Sequence, residues 1–163
     1  MPIVKTRPGQ PIQVEGQGTI ITQTPVVTTG AYSANEAVGG MMTFENAALD
    51  TGGGGIINHV LLIDDAGQDA DMELWLFDTA FLSTDSQAFI PAEASVHTLI
   101  TVITISSAGW LIAGTPSVNV VSVFGQRYES TTKDLYGQLV TRGTPTFTAV
   151  DDLTVRLGLT QVT

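Results

Sequence analysis

Leu153-Thr154-Val155-Arg156-Leu157-Gly158-Leu159-Thr160 is the most regular stretch of the chain, with leucine or valine at every odd position and a polar, charged or side-chain-free residue at every even one. A period of two belongs to extended backbone, whose successive side chains point to opposite faces; a helix would scatter the same four apolar residues around its circumference. The stretch therefore reads as a strand near 152–160 with one face in a core. Asp71-Met72-Glu73-Leu74-Trp75-Leu76-Phe77 follows the same rule, Met72, Leu74 and Leu76 alternating with Asp71 and Glu73 until Trp75 and Phe77 make the second face apolar as well. One face of that strand is core, and the other is expected to be contact surface.

Short runs rich in Val, Ile, Thr and Leu recur on either side, separated by Gly, Pro, Asp and Ser clusters. They place strands near 19–28, 38–44, 56–64, 71–78, 97–105, 117–124, 134–142 and 152–160. Helical periodicity is interrupted in every window long enough to hold a helix, which leaves room only for a short turn of helix around 46–50 or 85–94. About eight short strands without helical alternation imply an all-β antiparallel β-sandwich with jelly-roll or Greek-key connectivity. Residues 1–18 differ: Pro2, Pro8, Pro11, Gly9, Gly16 and Gly18 interleave with glutamines, and neither period survives. They read as an extended N-terminal arm preceding a single domain over 19–163. Ordered against a neighbouring subunit, the arm would offer Pro8, Pro11, Ile12 and Val14 as contacts.

The 163 residues, 43% hydrophobic and 13% charged, suffice for one core and are too few for two of ordinary size. The absence of cysteine removes disulfide scaffolds, thiol nucleophiles and thiolate-ligated metals. Six Lys and Arg against sixteen Asp and Glu, net −10, with the cations scattered singly, argue against nucleic acid and anionic membranes. The opening MPIVKTRPGQP has no apolar run behind its cations, so no secretory signal is expected, and no stretch is apolar for long enough to span a bilayer as a helix.

Each group that could carry chemistry has a plainer reading beside it. Thr51-Gly52-Gly53-Gly54-Gly55 lacks the Lys-Ser/Thr and following helix of a phosphate loop and reads as an inter-strand loop; Gly39-Gly40 reads as a bulge or turn. The segment from Asp64 to Asp71 is acidic enough to consider calcium, with Asp64, Asp65, Asp69 and Asp71 as ligands, yet its spacing is not that of an EF-hand and a hairpin tip accounts for it; no metal is expected. Asp151-Asp152 suits a turn before a strand. His59 and His97 are the only imidazoles, and Ser95, His97 and Asp85 compose a triad on paper without a GxSxG elbow to support it. No enzyme active site and no cofactor are expected. Of the aromatics, most read as core, while Trp75 and Phe77 are the interface candidates. Arg142, beside the Gly143-Thr144-Pro145 turn, reads as half of a surface salt bridge.

GAYSANEAVGGMMTF at 30–44, VLLIDD at 60–65 running through a polar loop into ELWLFD at 73–78, and LYGQLVTRGTPTF at 135–147 closing with DLTVRLGL at 152–159 form an ordered series. Together they resemble small β-rich structural proteins of tailed bacteriophages, the capsid decoration or cement proteins, over the chain from about residue 20 to its end. The resemblance implies a non-enzymatic virion component, with the major capsid protein and further copies of itself, as a homotrimer or homodimer, for partners. A −10 subunit would be repelled by the packaged DNA, so the outer capsid surface is the expected location, after assembly in the host cytoplasm. The alternative is a head- or tail-fibre-type module recognising a host-surface glycan through exposed aromatics; a hydrolase with a dispersed acidic site is a third reading, requiring a pocket that joins a histidine to carboxylates.

Overall fold

The computed structural model describes residues 16–162. Its strands are β1 (Gln17–Gln23), β2 (Gly30–Ala31), β3 (Ala37–Phe44), β4 (Gly54–Asp64), β5 (Met72–Phe77), β6 (Leu99–Ile105), β7 (Trp110–Ile112), β8 (Ser117–Glu129), β9 (Leu135–Thr141), β10 (Thr146–Phe147) and β11 (Leu153–Val162). One turn of helix, α1 (Glu93–Val96), precedes β6, and a 3-10 turn at Ser107–Gly109 precedes β7.

The long strands nest as antiparallel pairs: β5 with β6, β4 with β8, β3 with β9, β1 with β11. Successive pairs fall alternately into two sheets, a five-stranded one ordered β1-β11-β4-β8-β7 and a four-stranded one ordered β3-β9-β5-β6. A doubled ribbon wound in this way is a jelly roll, the first of the two connectivities expected. All eight expected strands are present. The extra elements β2, β7 and β10 are two or three residues long, β2 pairing with β10 and β7 extending the edge of the five-stranded sheet.

Core side chains come from the inward half of each alternation. Val155 faces in beside Leu62, and Leu157 beside Val60, from the five-stranded sheet; Leu74 beside Leu139 and Phe44 beside Leu135 answer from the other, and all eight are fully buried. Each leucine or valine so buried contributes roughly 1.5–3 kcal/mol relative to exposure. Among the described residues no helix is long and apolar enough to cross a membrane.

Local chemistry moves several boundaries. β1 ends at Gln23 instead of running to 28, because Pro25 has no N–H for a ladder and Val27 instead donates to the Val150 carbonyl at 2.9 Å. At its other end β1 takes in Gln17 and Gly18, paired with Gln161 and Thr160, from the segment assigned to the arm. Residues 46–50 form turns without helix, and only 93–94 of the 85–94 window are helical. Gly54 and Gly55 belong to β4, not to a loop. Gly39, at φ +68°, lies where the β3–β9 register shifts between Val38 and Met42, so the expected bulge is there.

Candidate functional site

The outer face of the four-stranded sheet is covered by the chain itself. Residues 78–91 cross it as a strap, held at its middle by Ala37 N–H to the Gln87 carbonyl (2.8 Å), Ser86 N–H to the Ala37 carbonyl (2.9 Å) and Phe89 N–H to the Asn35 carbonyl (2.9 Å). Phe81 and Phe89 descend from the strap onto β5: the Phe77 and Phe81 rings are 4.4 Å apart, and Phe89 meets Trp75 edge-on at 5.5 Å. Phe77 is consequently fully buried and Trp75 half-buried. The open aromatic surface expected from Trp75 and Phe77 is corrected to an intramolecular cluster. The arm candidates Pro8, Pro11, Ile12 and Val14 lie outside the described residues.

Asp85 anchors the strap. Its carboxylate accepts from the Tyr32 hydroxyl (2.6 Å), the Thr28 hydroxyl (2.6 Å) and the Gly39 N–H (2.7 Å). Burial and the neighbouring carboxylate push the Tyr32 hydroxyl up to about 12, which keeps it a proton donor across the physiological range. Asp85 thus serves structure and makes no hydrogen bond to His97, which is exposed at the end of α1. His59 stands on β4 with its ring over Gly158, where a methyl group would come within 2.1 Å of Cε1. The paper triad does not assemble.

The acidic loop is likewise built for the fold. Asp64 is fully buried; its Oδ1 accepts from Ala66 N–H (3.0 Å), and its Oδ2 from Gln68 N–H (2.8 Å) and Asp69 N–H (3.1 Å). Asp69 accepts from the Ser117 hydroxyl, Asp71 accepts from Ser107 N–H at 2.6 Å, and Asp65 is exposed. Among the described residues no three His, Cys, Asp or Glu side chains converge to hold a metal ion. Asp152 closes its turn in the same manner, accepting from Thr148 N–H (2.7 Å) and Ala149 N–H (2.8 Å).

Arg142 pairs with Glu73 at 2.7 Å, as the sequence suggests, and Glu73 also accepts from the Trp75 indole N–H at 2.9 Å. The guanidinium, opposed by partial burial and helped by the indole, holds Glu73 below its ordinary value of 4.5. A depressed acid stabilises the fold above its unfolded value and loses that contribution as pH falls through the folded one. Asp64 runs the other way: burial outweighs its three N–H donors and raises it, so protonation is favoured in the folded state. Glu73→Gln is therefore expected to cost up to about 1 kcal/mol at pH 7 because the pair is partly exposed. The gap between the melting curves of the two proteins should narrow from pH 7 to pH 3, and a gap constant with pH would refute the assignment.

Among the described residues none crosses the outer face of the five-stranded sheet. Ladder register sets Thr22, Arg156, Leu61 and Val120 side by side across β1, β11, β4 and β8; the rows flanking it are Thr154, Ile63, Val118 and Leu111, and Ile20, Gly158, His59 and Ser122. A further row holds Gly18, Thr160, Ile56 and Arg127. Ile20 is 53% exposed, Val120 51% and Leu111 65%. None of the chain's sixteen carboxylates stands in these four rows. Between the His59 row and the Ile56 row the β4–β8 register shifts, so that Val123, Phe124 and Gly125 bulge opposite Asn58; Gly125 adopts φ +68° and Phe124 is 95% exposed. This surface escapes a reading of single strands, since VLLID at 60–64 and VNVVSV at 118–123 look like strands buried on both faces.

No protein-family model matches the chain, and no curated protein does. Among solved structures, a chain of the T13 IBDV viral particle aligns over 99% of this chain at 11% identity with a TM-score of 0.40. A chain of Desmodium yellow mottle tymovirus aligns over the full length at 10% identity and a TM-score of 0.32, and 95% of that chain is covered. One from the Gx strain of infectious bursal disease virus aligns over 100% at 12% identity and 0.34. The chain spans 36% of the first and 42% of the third.

Proposed function

We propose that this chain is a non-enzymatic virion structural protein that binds the outer surface of a phage capsid and stabilises it by bridging capsomers. The observation that carries the reading is the carboxylate-free outer face of the five-stranded sheet, uncovered among the described residues, on a subunit whose net charge is −10. Exposed apolar side chains gathered on one face, here Ile20, Leu111, Val120 and Phe124, mark a contact with another macromolecule. The sequence resemblance to decoration and cement proteins supplies the kind of assembly, and the jelly roll is an architecture that capsid subunits use, as lectins and cupins also do. Of the groups weighed for metal or catalysis, Asp64, Asp85 and Asp152 are engaged by backbone N–H groups, which supports the same reading, whereas His97 lines an open pocket with Asp78 and Glu129, on which the hydrolase alternative would rest.

In this reading the arm is a latch. A protein that binds only the assembled shell stabilises it by mass action, and an extended segment reaching a neighbouring capsomer adds avidity. The test mixes the purified protein with empty shells assembled from the major capsid protein of the same virus. Saturable co-sedimentation and a rise of several degrees in shell melting are expected. Deletion of 1–15, which leaves β1 whole, should weaken attachment about tenfold or more while the melting of the isolated domain stays unchanged. Failure to co-sediment at about 10 μM, a concentration at which a standard-size interface is occupied, would reject the reading.

A further inference from the structure

We infer that the outer face of the five-stranded sheet is a self-association surface on which a second copy of this chain docks face to face. The inference does not rest on the capsid reading and competes with it for this face: a dimer here would leave shell binding to the arm.

Charge selects the occupant first. Two copies at −10 each repel wherever carboxylates meet, and the four rows from Ile56 to Ile63 are a broad surface that carries none. The charged residues in those rows are Arg156 and Arg127. Arginine is enriched in protein interfaces while Asp, Glu and Lys are depleted there, and its aliphatic stem covers apolar surface.

Shape and area agree. Four strands at about 4.8 Å and about eight residues at 3.3 Å make a plateau of roughly 19 by 26 Å, about 500 Å² in projection. Side-chain relief brings the accessible area toward the about 800 Å² per partner of a standard interface. Apolar sheet faces pack on one another at about 10 Å, which a two-fold axis lying in the contact plane permits when the same rows meet on both sides. The His59 ring stands over Gly158, and beside it Gly18, Ile20 and Asn58 line an open hollow of about 570 Å³ that interrupts the plateau and that a protruding side chain of a second copy would have to fill. Phe124, thrust out by the bulge between the His59 row and the Ile56 row on β8, supplies the aromatic anchor around which such contacts concentrate their energy.

The full chain is measured by multi-angle light scattering at about 100 μM, alone and as Val120→Glu and Phe124→Ser. Val120 is half-exposed and Phe124 almost wholly so, so neither change enters the core. The expected result is twice the chain mass for the wild type, the single-chain mass for Val120→Glu with unchanged thermal midpoint and near-ultraviolet circular dichroism, and dissociation at least about tenfold easier for Phe124→Ser. Should Val120→Glu fail to fold, Phe124→Ser decides. A monomeric or trimeric wild type, or a dimer that a folded Val120→Glu or Phe124→Ser leaves intact, overturns the inference. A monomer that still co-sediments with shells would assign the face to the capsid and leave the proposed function standing.

Discussion

Gly55→Val is expected to leave the chain unable to hold its native fold. Gly55 sits in β4 between β11 and β8, where a Cβ would lie 2.3 Å from the Thr160 carbonyl oxygen and 2.7 Å from the Tyr128 hydroxyl. Neither obstacle can move cheaply. The first is ladder backbone, and the second belongs to a buried tyrosine whose hydroxyl donates to the Ala47 carbonyl. Overpacking of a side chain typically costs 1–3 kcal/mol, and a clash with backbone in a central strand costs more, about 4 kcal/mol or above. Native domains are stable by only about 5–15 kcal/mol, so most of the folded population is at risk. Urea unfolding checks this with Gly18→Ala as control, since nothing lies within 4 Å of a Cβ at Gly18. A Gly55→Val midpoint equal to the wild type would show that the strands can part there.

Asp64→Ala should cost about 3–5 kcal/mol, because it strands three backbone N–H groups in a loop whose carboxylate is fully buried, each unsatisfied donor being worth about 1–3 kcal/mol. Asp64→Asn retains one acceptor oxygen and turns an N–H₂ toward the remaining donors, so it should fall between. Calcium or chelator should leave the wild-type melting temperature unchanged, since Asp64 spends both oxygens on backbone and Asp71 faces Ser107. A rise of several degrees with millimolar calcium, reversed by chelator and absent in Asp64→Ala, would make the loop a metal site after all.

These two positions mark where the sequence was legible and where it was not. Period two in 153–160 and 71–77 identified strands and their core faces because alternation is local, and eight such runs without helical spacing limited the architecture to a sandwich. Gly54 and Gly55 looked like loop residues because glycine weakens a strand; the reason they are required, the crossing of Tyr128 and Thr160, is set by partners far along the chain. Alternation also made the second face of β5 apolar without revealing that Phe81 and Phe89, spaced through a polar segment, would return to cover it. The bare face was invisible for a related reason. Missing carboxylates at alternate positions of β1, β4, β8 and β11 become one surface only when the register aligns them, and register between distant strands leaves no local mark.

The pairing of β1 with β11 has a consequence in time. Thr24 and Thr154, just outside that ladder, touch across 130 residues of sequence, and in the sheet order β1 has β11 for its neighbour. At a synthesis rate of about 5–20 residues per second, β1 waits roughly 7–26 s on the ribosome for the strand that completes it. For that interval an extended, β-prone segment of each nascent chain lacks the ladder partner it has in the fold. Mispairing of β1 during synthesis is thus a hazard that the sequence separation of its partner builds into the fold.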